Sequence, residues 1–154
     1  LGALAAVAFT AFSIIGFYSL FYGVLPFAME IDQTFIGAIL TAIGYSVNDK
    51  VVVFDRIREN MGLYPKRDHL RLFNDSLNTT LNRTVNTSVS TFIVLIVIFG
   101  IGLAFKGAGS IISFSFAMIL GVVFGTFSSM FVAAPVAYLV MTGRKINEEE
   151  ENKQ

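Results

Sequence analysis

Long apolar runs separated by short polar segments dominate the chain. Four of these runs reach the roughly 20 residues that an α-helix needs to cross a bilayer. They cover residues 3–25, 34–54, 84–105 and 110–141. Residues 55–83 form a long loop, and residues 146–154 form an acidic tail. The pattern therefore predicts an all-α, multi-pass transmembrane helical bundle over residues 1–145.

Basic residues collect on one side of the predicted spans. The loop at 55–83 and the end of the fourth span carry most of them: Arg56, Arg58, Lys66, Arg67, Arg71, Arg144 and Lys145. The loops on the other side, residues 26–33 and 104–109, hold only Lys106. By the positive-inside rule, the long loop, both ends and the acidic tail are predicted to be cytoplasmic.

The long loop has an apolar pattern of its own. Leu70, Phe73, Leu77 and Leu81 recur at three- and four-residue spacing. This spacing fits a short amphipathic helix at the inner membrane interface, and it fits an extension of the third span equally well.

Composition makes any charge inside a span conspicuous, because the chain is 55% hydrophobic and 14% charged. Asp49 lies within the second span, where a carboxylate costs ~2.5–3.5 kcal/mol and usually faces an ion or substrate path. A net charge of zero gives no indication of nucleic-acid binding, and the lack of cysteine excludes disulfides and thiol metal sites. We expect no metal, no organic cofactor and no enzyme activity.

Polar side chains form a stripe on each of two neighbouring spans. The second span carries Thr41, Tyr45 and Asp49 at four-residue spacing, with Asn48 beside them. The third span carries Arg83, Thr87 and either Ser90 or Thr91, with Asn86 beside them. One stripe thus contains an acid and the other a base.

Depth along the helices relates Asp49 to Arg83. At 1.5 Å per residue, Asp49 lies about 22 Å below the outer end of its span. Arg83 lies about 24 Å deep if the third span ends near Phe99, and about 33 Å deep if it runs to Phe105. Three interpretations stay open: a titrating Asp49–Arg83 pair, a static ion pair, and an Arg83 that only anchors its helix at the headgroups.

Two further features concern helix contacts. Lys50 follows Asp49 but points about 100° away from it, so it either snorkels past Phe54 or acts on the charge of Asp49. Gly121 and Gly125 form a GxxxG pair in the fourth span, which is typical of closely packed membrane helices.

Three stretches of the chain resemble a known family. They are IGYSVNDKVVVFDRIREN at residues 43–60, LNRTVNTSVST at 81–91 and FAMILGVVFGTFSSMFVAAPV at 116–136. In this order they resemble successive spans of the SecD/SecF protein-export membrane subunits. A further stretch, MEIDQTFIGAIL at residues 29–40, resembles the loop sequence of SecD–SecF fusion proteins. The likeness covers nearly the whole chain and corresponds to the last four of six spans.

The resemblance implies a fold and a function. It implies the resistance–nodulation–division permease superfold and an auxiliary subunit of the bacterial Sec translocase, which uses the proton-motive force to promote preprotein export across the inner membrane. The implied partners are the SecD half or subunit, the SecYEG channel, the preprotein and the lipid bilayer. The family's proton-coupling residues correspond to Asp49 and Arg83, with Tyr45, Asn48, Asn86 and Thr87 as supporting polar groups.

Some positions depart from the family pattern. The family usually has a His-Asp pair where this chain has Phe9 and Thr10, and a Thr where it has Lys50. Two alternative functions therefore stand beside energised export: a non-energised scaffold subunit of the translocase, and a proton-coupled efflux permease of the same superfold.

The predicted orientation has a direct test. Single cysteines at Gln33 and Lys106 should react with a membrane-impermeant thiol reagent added from the periplasm, whereas cysteines at Lys66 and Lys145 should not. Labelling at position 66 from the periplasm would reverse the orientation.

Overall fold

The computed structural model describes residues 2–24, 31–105 and 108–153. The secondary structure of these residues is helical: α1 Gly2–Leu20, α2 Gln33–Leu63, α3 His69–Ala104, α4 Gly109–Ser128, a π-helical turn Ser129–Ala133, and α5 Ala134–Glu151. Four helical stretches are long and apolar enough to cross a membrane, with α4, the π-helical turn and α5 together forming the fourth. This confirms the all-α, multi-pass membrane bundle. Leu25, the first loop's residues 26–30 and Lys106 lie outside the described residues.

The helices continue beyond the membrane at the end where α2 meets α3. α2 runs to Leu63 and α3 begins at His69, so residues 64–68 are the only linker there. Of the two interpretations of the loop pattern, the extension of the third span is the one found. α5 likewise carries the first part of the acidic tail as helix, ending at Glu151.

Local signals account for where α2 begins and ends. The Asp32 carboxylate accepts a hydrogen bond of 2.9 Å from the backbone N–H of Phe35, which caps the helix. This bond stabilises the charged carboxylate and lowers the pKa of Asp32. At the other end, the backbone N–H of Tyr64 donates to the carbonyl of Asn60.

Two apolar clusters form the core. The outer cluster is centred on Ile14, Tyr18, Phe35 and Leu120 and includes the Tyr18–Phe35 ring pair, whose centroids are 4.2 Å apart. The second cluster lies toward the α2–α3 linker and consists of Val53, Ile57, Leu72 and Phe73. Between the clusters lies a layer of buried polar side chains, described below.

Small residues set the approach of α4 to α2. Gly121 faces Ala42 so closely that a methyl group on Gly121 would collide with the Ala42 Cβ. One turn on, a methyl group on Gly125 would lie 3.0 Å from both Cβ and Oγ of Ser46. The structure therefore confirms that the GxxxG pair is a helix-packing site, and the surface it meets is α2.

The packing at Gly121 leads to a stability prediction. Gly121→Ala should lower the free energy of unfolding by about 1–3 kcal/mol, because the added methyl forces α2 and α4 apart. Gly44→Ala is the matched control, since nothing lies within 4 Å of a Cβ at that helical glycine. Unfolding of the purified protein in detergent measures both, and equal stability of the two variants would contradict this packing.

Candidate functional site

A polar layer crosses the bundle between the two apolar clusters. Its members are buried and come from each of the long helices and from the π-helical turn: Thr10, Ser46, Asp49, Lys50, Thr84, Ser88, Ser128 and Ser129. A carboxylate and an ammonium within this layer are placed where a membrane protein must satisfy polar groups internally.

Asp49 is held in the layer by its position on α2. It lies on the buried face of that helix, which also carries Ser46 and Val53, and only 7% of it is exposed. Its Oδ2 atom is buried and has no hydrogen-bond partner among the residues that the structure describes. An unpartnered carboxylate oxygen at this depth is costly when charged, and protonation removes most of that cost.

Two hydrogen bonds fix the register of α2 against α3. Asn60 Nδ2 donates to Ser76 Oγ at 2.7 Å, and Thr91 Oγ1 donates to Tyr45 OH at 3.2 Å. Both bonds fit one antiparallel register, in which Asp49 lies opposite Thr87.

Arg83 therefore lies deeper than Asp49. In the same register it is opposite Val53, about 6 Å further toward the α2–α3 linker. The depth match required α3 to end near Phe99, and the helix instead continues through Gly100 and Gly102 to Ala104. Gly102 serves the approach of α4, because a Cβ there would lie 3.1 Å from Ile112 Cγ1.

The structure does not join Asp49 and Arg83 in an ion pair. Arg83 is exposed and lines a polar groove of about 270 Å³ between α2 and α3, together with Asp55, Arg56 and Glu59. The separation of about one helical turn is within the reach of an arginine side chain.

Lys50 is the buried cation of the site. It is 0% exposed, and its Nζ donates to Ser46 Oγ and, at 3.3 Å, to the Ser46 carbonyl. The side chain points toward the N-terminal end of α2, as Cβ vectors in helices do, and so away from Phe54 and the nearer surface. The interpretation in which Lys50 snorkels past Phe54 is therefore wrong, and its action on the charge of Asp49 stays a prediction.

α1 and α4 complete the layer without a further charge. Thr10 Oγ1 lies 2.8 Å from the Ala6 carbonyl and 2.9 Å from Ser128 Oγ, and Ser128 Oγ lies 2.9 Å from the same carbonyl. Thr10 is 0% exposed, whereas Phe9 points outward. Position 10 therefore holds a neutral hydroxyl that contacts Ser128 of α4.

The supporting polar residues lie in two environments. Tyr45 is half-buried and accepts the hydrogen bond from Thr91. Asn48, Asn86 and Thr87 are exposed at the depth of Asp49. Since exposed polar groups at this depth are unfavourable against lipid, this face of α2 and α3 is suited to another polar membrane helix.

The fourth membrane helix is irregular beside the layer. Its helical turn at Ser129–Ala133 is π-type and ends two residues before Pro135, which has no N–H to continue the helical hydrogen bonds. Such turns are frequent at functional sites. Ser129 Oγ, in the first residue of this turn, donates to the carbonyl of Thr126 in α4 at 2.8 Å.

Sequence reasoning found Asp49 and missed most of its surroundings. Ser46 and Lys50 are four residues apart and thus share a helix face, which was a usable signal for their contact. Thr10 and Ser128 are 118 residues apart in the chain, so no local sequence pattern indicates that they form a hydrogen bond. Within the part of the chain that the structure describes, no three His, Cys, Asp or Glu side chains gather in a way that could hold a metal.

Fold and site together define a multi-pass helical membrane protein with a buried acid and a buried cation in its core. The family described as "Protein export membrane protein SecD/SecF, C-terminal" matches residues 1–143, and the chain belongs to that family. This confirms the resemblance of the three sequence stretches.

Individual relatives agree with the family. The chain is 48% identical to the protein translocase subunit SecF of Rhodothermus marinus over 137 residues, 88% of this chain and 42% of that protein. It is 39% identical to SecF of Petrotoga mobilis over 144 residues, 94% of this chain and 44% of that protein. It is 36% identical to the protein translocase subunit SecDF of Bacillus subtilis over 160 residues, 97% of this chain and 19% of that protein. The chain thus spans less than half the length of these relatives.

The burial of both charges leads to a coupling prediction. With Asp49 ionised, Asp49→Asn and Lys50→Met should each destabilise the bundle by about 2 kcal/mol or more, because each leaves an uncompensated charge in the layer. The destabilisation of the double variant should be smaller than the sum of the two single-variant values by at least ~1 kcal/mol. Detergent-phase unfolding measures the cycle, and Lys50→Met combined with Arg83→Gln is the control that should be additive within ~0.5 kcal/mol. Full additivity of the Asp49 and Lys50 changes would mean that the two charges do not compensate each other.

Proposed function

We propose that this chain is the C-terminal membrane part of an auxiliary subunit of the bacterial Sec translocase. The subunit resides in the inner membrane, with both ends of this segment in the cytoplasm. It uses the proton-motive force to promote preprotein export, with the SecD half or subunit and the SecYEG channel as partners. Membership of the SecD/SecF family and relatives named protein translocase subunits support the export role.

The observation that carries the energised mechanism is the buried Asp49 carboxylate. One of its oxygens has no hydrogen-bond partner among the described residues, and the exposed Arg83 lies about one helical turn away. Protonated Asp49 is neutral and suits the polar layer. Ionised Asp49 attracts the Arg83 guanidinium, which moves up from the groove between α2 and α3. The two protonation states therefore favour two arrangements of these helices.

The proton gradient supplies enough free energy for such a switch. One proton crossing ~100 mV releases ~2.3 kcal/mol. Since ~1.4 kcal/mol is tenfold in an equilibrium constant, this shifts a two-state helix packing about fortyfold. The π-helical turn beside the layer gives the fourth membrane helix a place to bend as α2 and α3 move.

The polar face of α2 and α3 supports the partner assignment. Asn48, Asn86 and Thr87 are exposed there at the depth of Asp49, beside Arg83. A SecD helix with an acid of its own would cover this face and complete the proton path. A scaffold subunit without energy coupling is the second candidate, and it would need only a static contact at the same face.

The experiment compares preprotein translocation into vesicles with and without an imposed proton gradient. Asp49→Asn should insert and fold but lose the gradient-dependent part of export, because the titratable charge is gone. Asp49→Asn with Arg83→Gln should be equally inactive, since removing both charges does not restore a proton carrier. Asp68→Asn changes an exposed acid outside both the polar layer and the groove that Arg83 lines, so it is the matched control and should keep gradient-dependent export.

The scaffold function makes the opposite prediction for the double variant. If the two charges only hold the helices together, replacing both by neutral groups should preserve function. Near-normal gradient stimulation in the double variant would therefore contradict the proton switch and favour the scaffold.

A further inference from the structure

Among the residues that the structure describes, Asp49 and Lys50 are the buried charged ones. Lys50 is 0% exposed, whereas Arg83 on α3 is exposed. α1, α4 and the π-helical turn bring no Asp, Glu, Lys or Arg to the polar layer. Removal of the Lys50 charge would therefore leave the Asp49 carboxylate without a buried cation, in a place where a lone charge is costly.

The Lys50 ammonium occupies oxygen atoms of the kind that bind alkali-metal ions in membrane proteins. Its Nζ donates to Ser46 Oγ and, at 3.3 Å, to the Ser46 carbonyl. Within the α-helix this carbonyl also accepts the backbone N–H of Lys50, so Nζ takes its second lone pair. Both Ser46 oxygens are thus in use.

Asp49 lies beside these oxygens. Ser46 and Asp49 are three residues apart on the buried face of α2, a spacing that places their Cβ atoms about 5–6 Å apart. Asp49 Oδ2 is buried and has no hydrogen-bond partner among the described residues. A carboxylate, a hydroxyl and a carbonyl oxygen therefore lie within one turn of α2, and hard cations take oxygen ligands of these kinds.

α4 encloses this turn of α2. Its two glycine contacts make α4 parallel to α2 and in step with it, with Gly125 against Ser46. One turn further, the same register sets the buried Ser129 at the level of Lys50. The lysine chain thus fills space inside the protein, and shortening it would leave a cavity lined by the Ser46 oxygens.

We propose that Lys50 is a built-in cation that keeps Na⁺ away from Asp49. A proton needs only a lone pair on the carboxylate, whereas Na⁺ needs several oxygens at once and room between them. Lys50 fills that room and holds two of the oxygens. It therefore determines ion specificity, an inference that rests on the proposed function and names the residue that restricts its coupling ion to protons.

The test measures binding of ²²Na⁺ to the complete subunit that contains this chain, purified in detergent at alkaline pH, where protons compete least. The unmodified protein should show no Na⁺ binding that depends on Asp49. Lys50→Ala should bind Na⁺ saturably, because it frees the Ser46 oxygens and opens a cavity beside the carboxylate. Adding Asp49→Asn should abolish this binding. Lys50→Met is the matched control, since it also removes the charge but fills nearly the same volume, and it should not bind Na⁺.

Unfolding provides a second measurement, which covers a loss of stability in Lys50→Ala. At a sodium concentration ~10 times its Kd, the ratio of folded to unfolded Lys50→Ala should rise ~11-fold relative to choline chloride. The ratio for the unmodified protein and for Lys50→Met should not change.

Three results would overturn the proposal. The first is Lys50→Ala that neither binds ²²Na⁺ nor gains stability from sodium, including a variant that stays unfolded in saturating sodium. The second is equal binding by Lys50→Met, and the third is Asp49-dependent binding by the unmodified protein. Binding is measured without a gradient or export, so a loss of gradient-dependent export would contradict the proposed function separately.

Discussion

The bilayer offers no water to a charge in the middle of the bundle, and this constraint determines how the core is arranged. Asp49 and Lys50 are both buried at that depth, so each must find compensation inside the protein. Lys50 finds it in the hydroxyl and the carbonyl of Ser46. Asp49 retains one oxygen without a partner. The buried cation thus has hydrogen-bond partners, whereas one oxygen of the buried acid has none among the described residues. This arrangement suits an acid that exchanges a proton.

The packing of the helices serves this arrangement. Gly125 brings the backbone of α4 against Ser46, so the same close approach that joins α2 to α4 also encloses the residue to which Lys50 is bonded. The π-helical turn follows directly at Ser129, where α4 leaves the layer. A shift of α2 relative to α3 would therefore be transmitted to the fourth membrane helix through contacts that already exist.

The sequence predicted the spans, the buried acid and the small-residue packing, because each depends on local chemistry that a helix displays at fixed spacing. The cost of an acid in an apolar run identified Asp49, and the GxxxG pattern identified Gly121 and Gly125. The level of Arg83 could not be predicted, because it depends on where α3 ends. Gly100 and Gly102 suggested a break, yet in the structure Gly102 serves packing against α4 and the helix continues. The close approach of α4 to Ser46, the residue to which Lys50 is bonded, could not be predicted either, because α4 comes from a distant part of the chain.

The claim on which the account rests is that Asp49 changes its protonation state during the working cycle. Infrared difference spectroscopy of the complete subunit in vesicles measures this directly, by recording the carboxyl C=O band as the periplasmic side is acidified. The account predicts a protonated-carboxyl band that appears on acidification and is missing in Asp49→Asn while present in Asp55→Asn. A band that persists unchanged in Asp49→Asn would contradict the account, because the proton would then bind elsewhere.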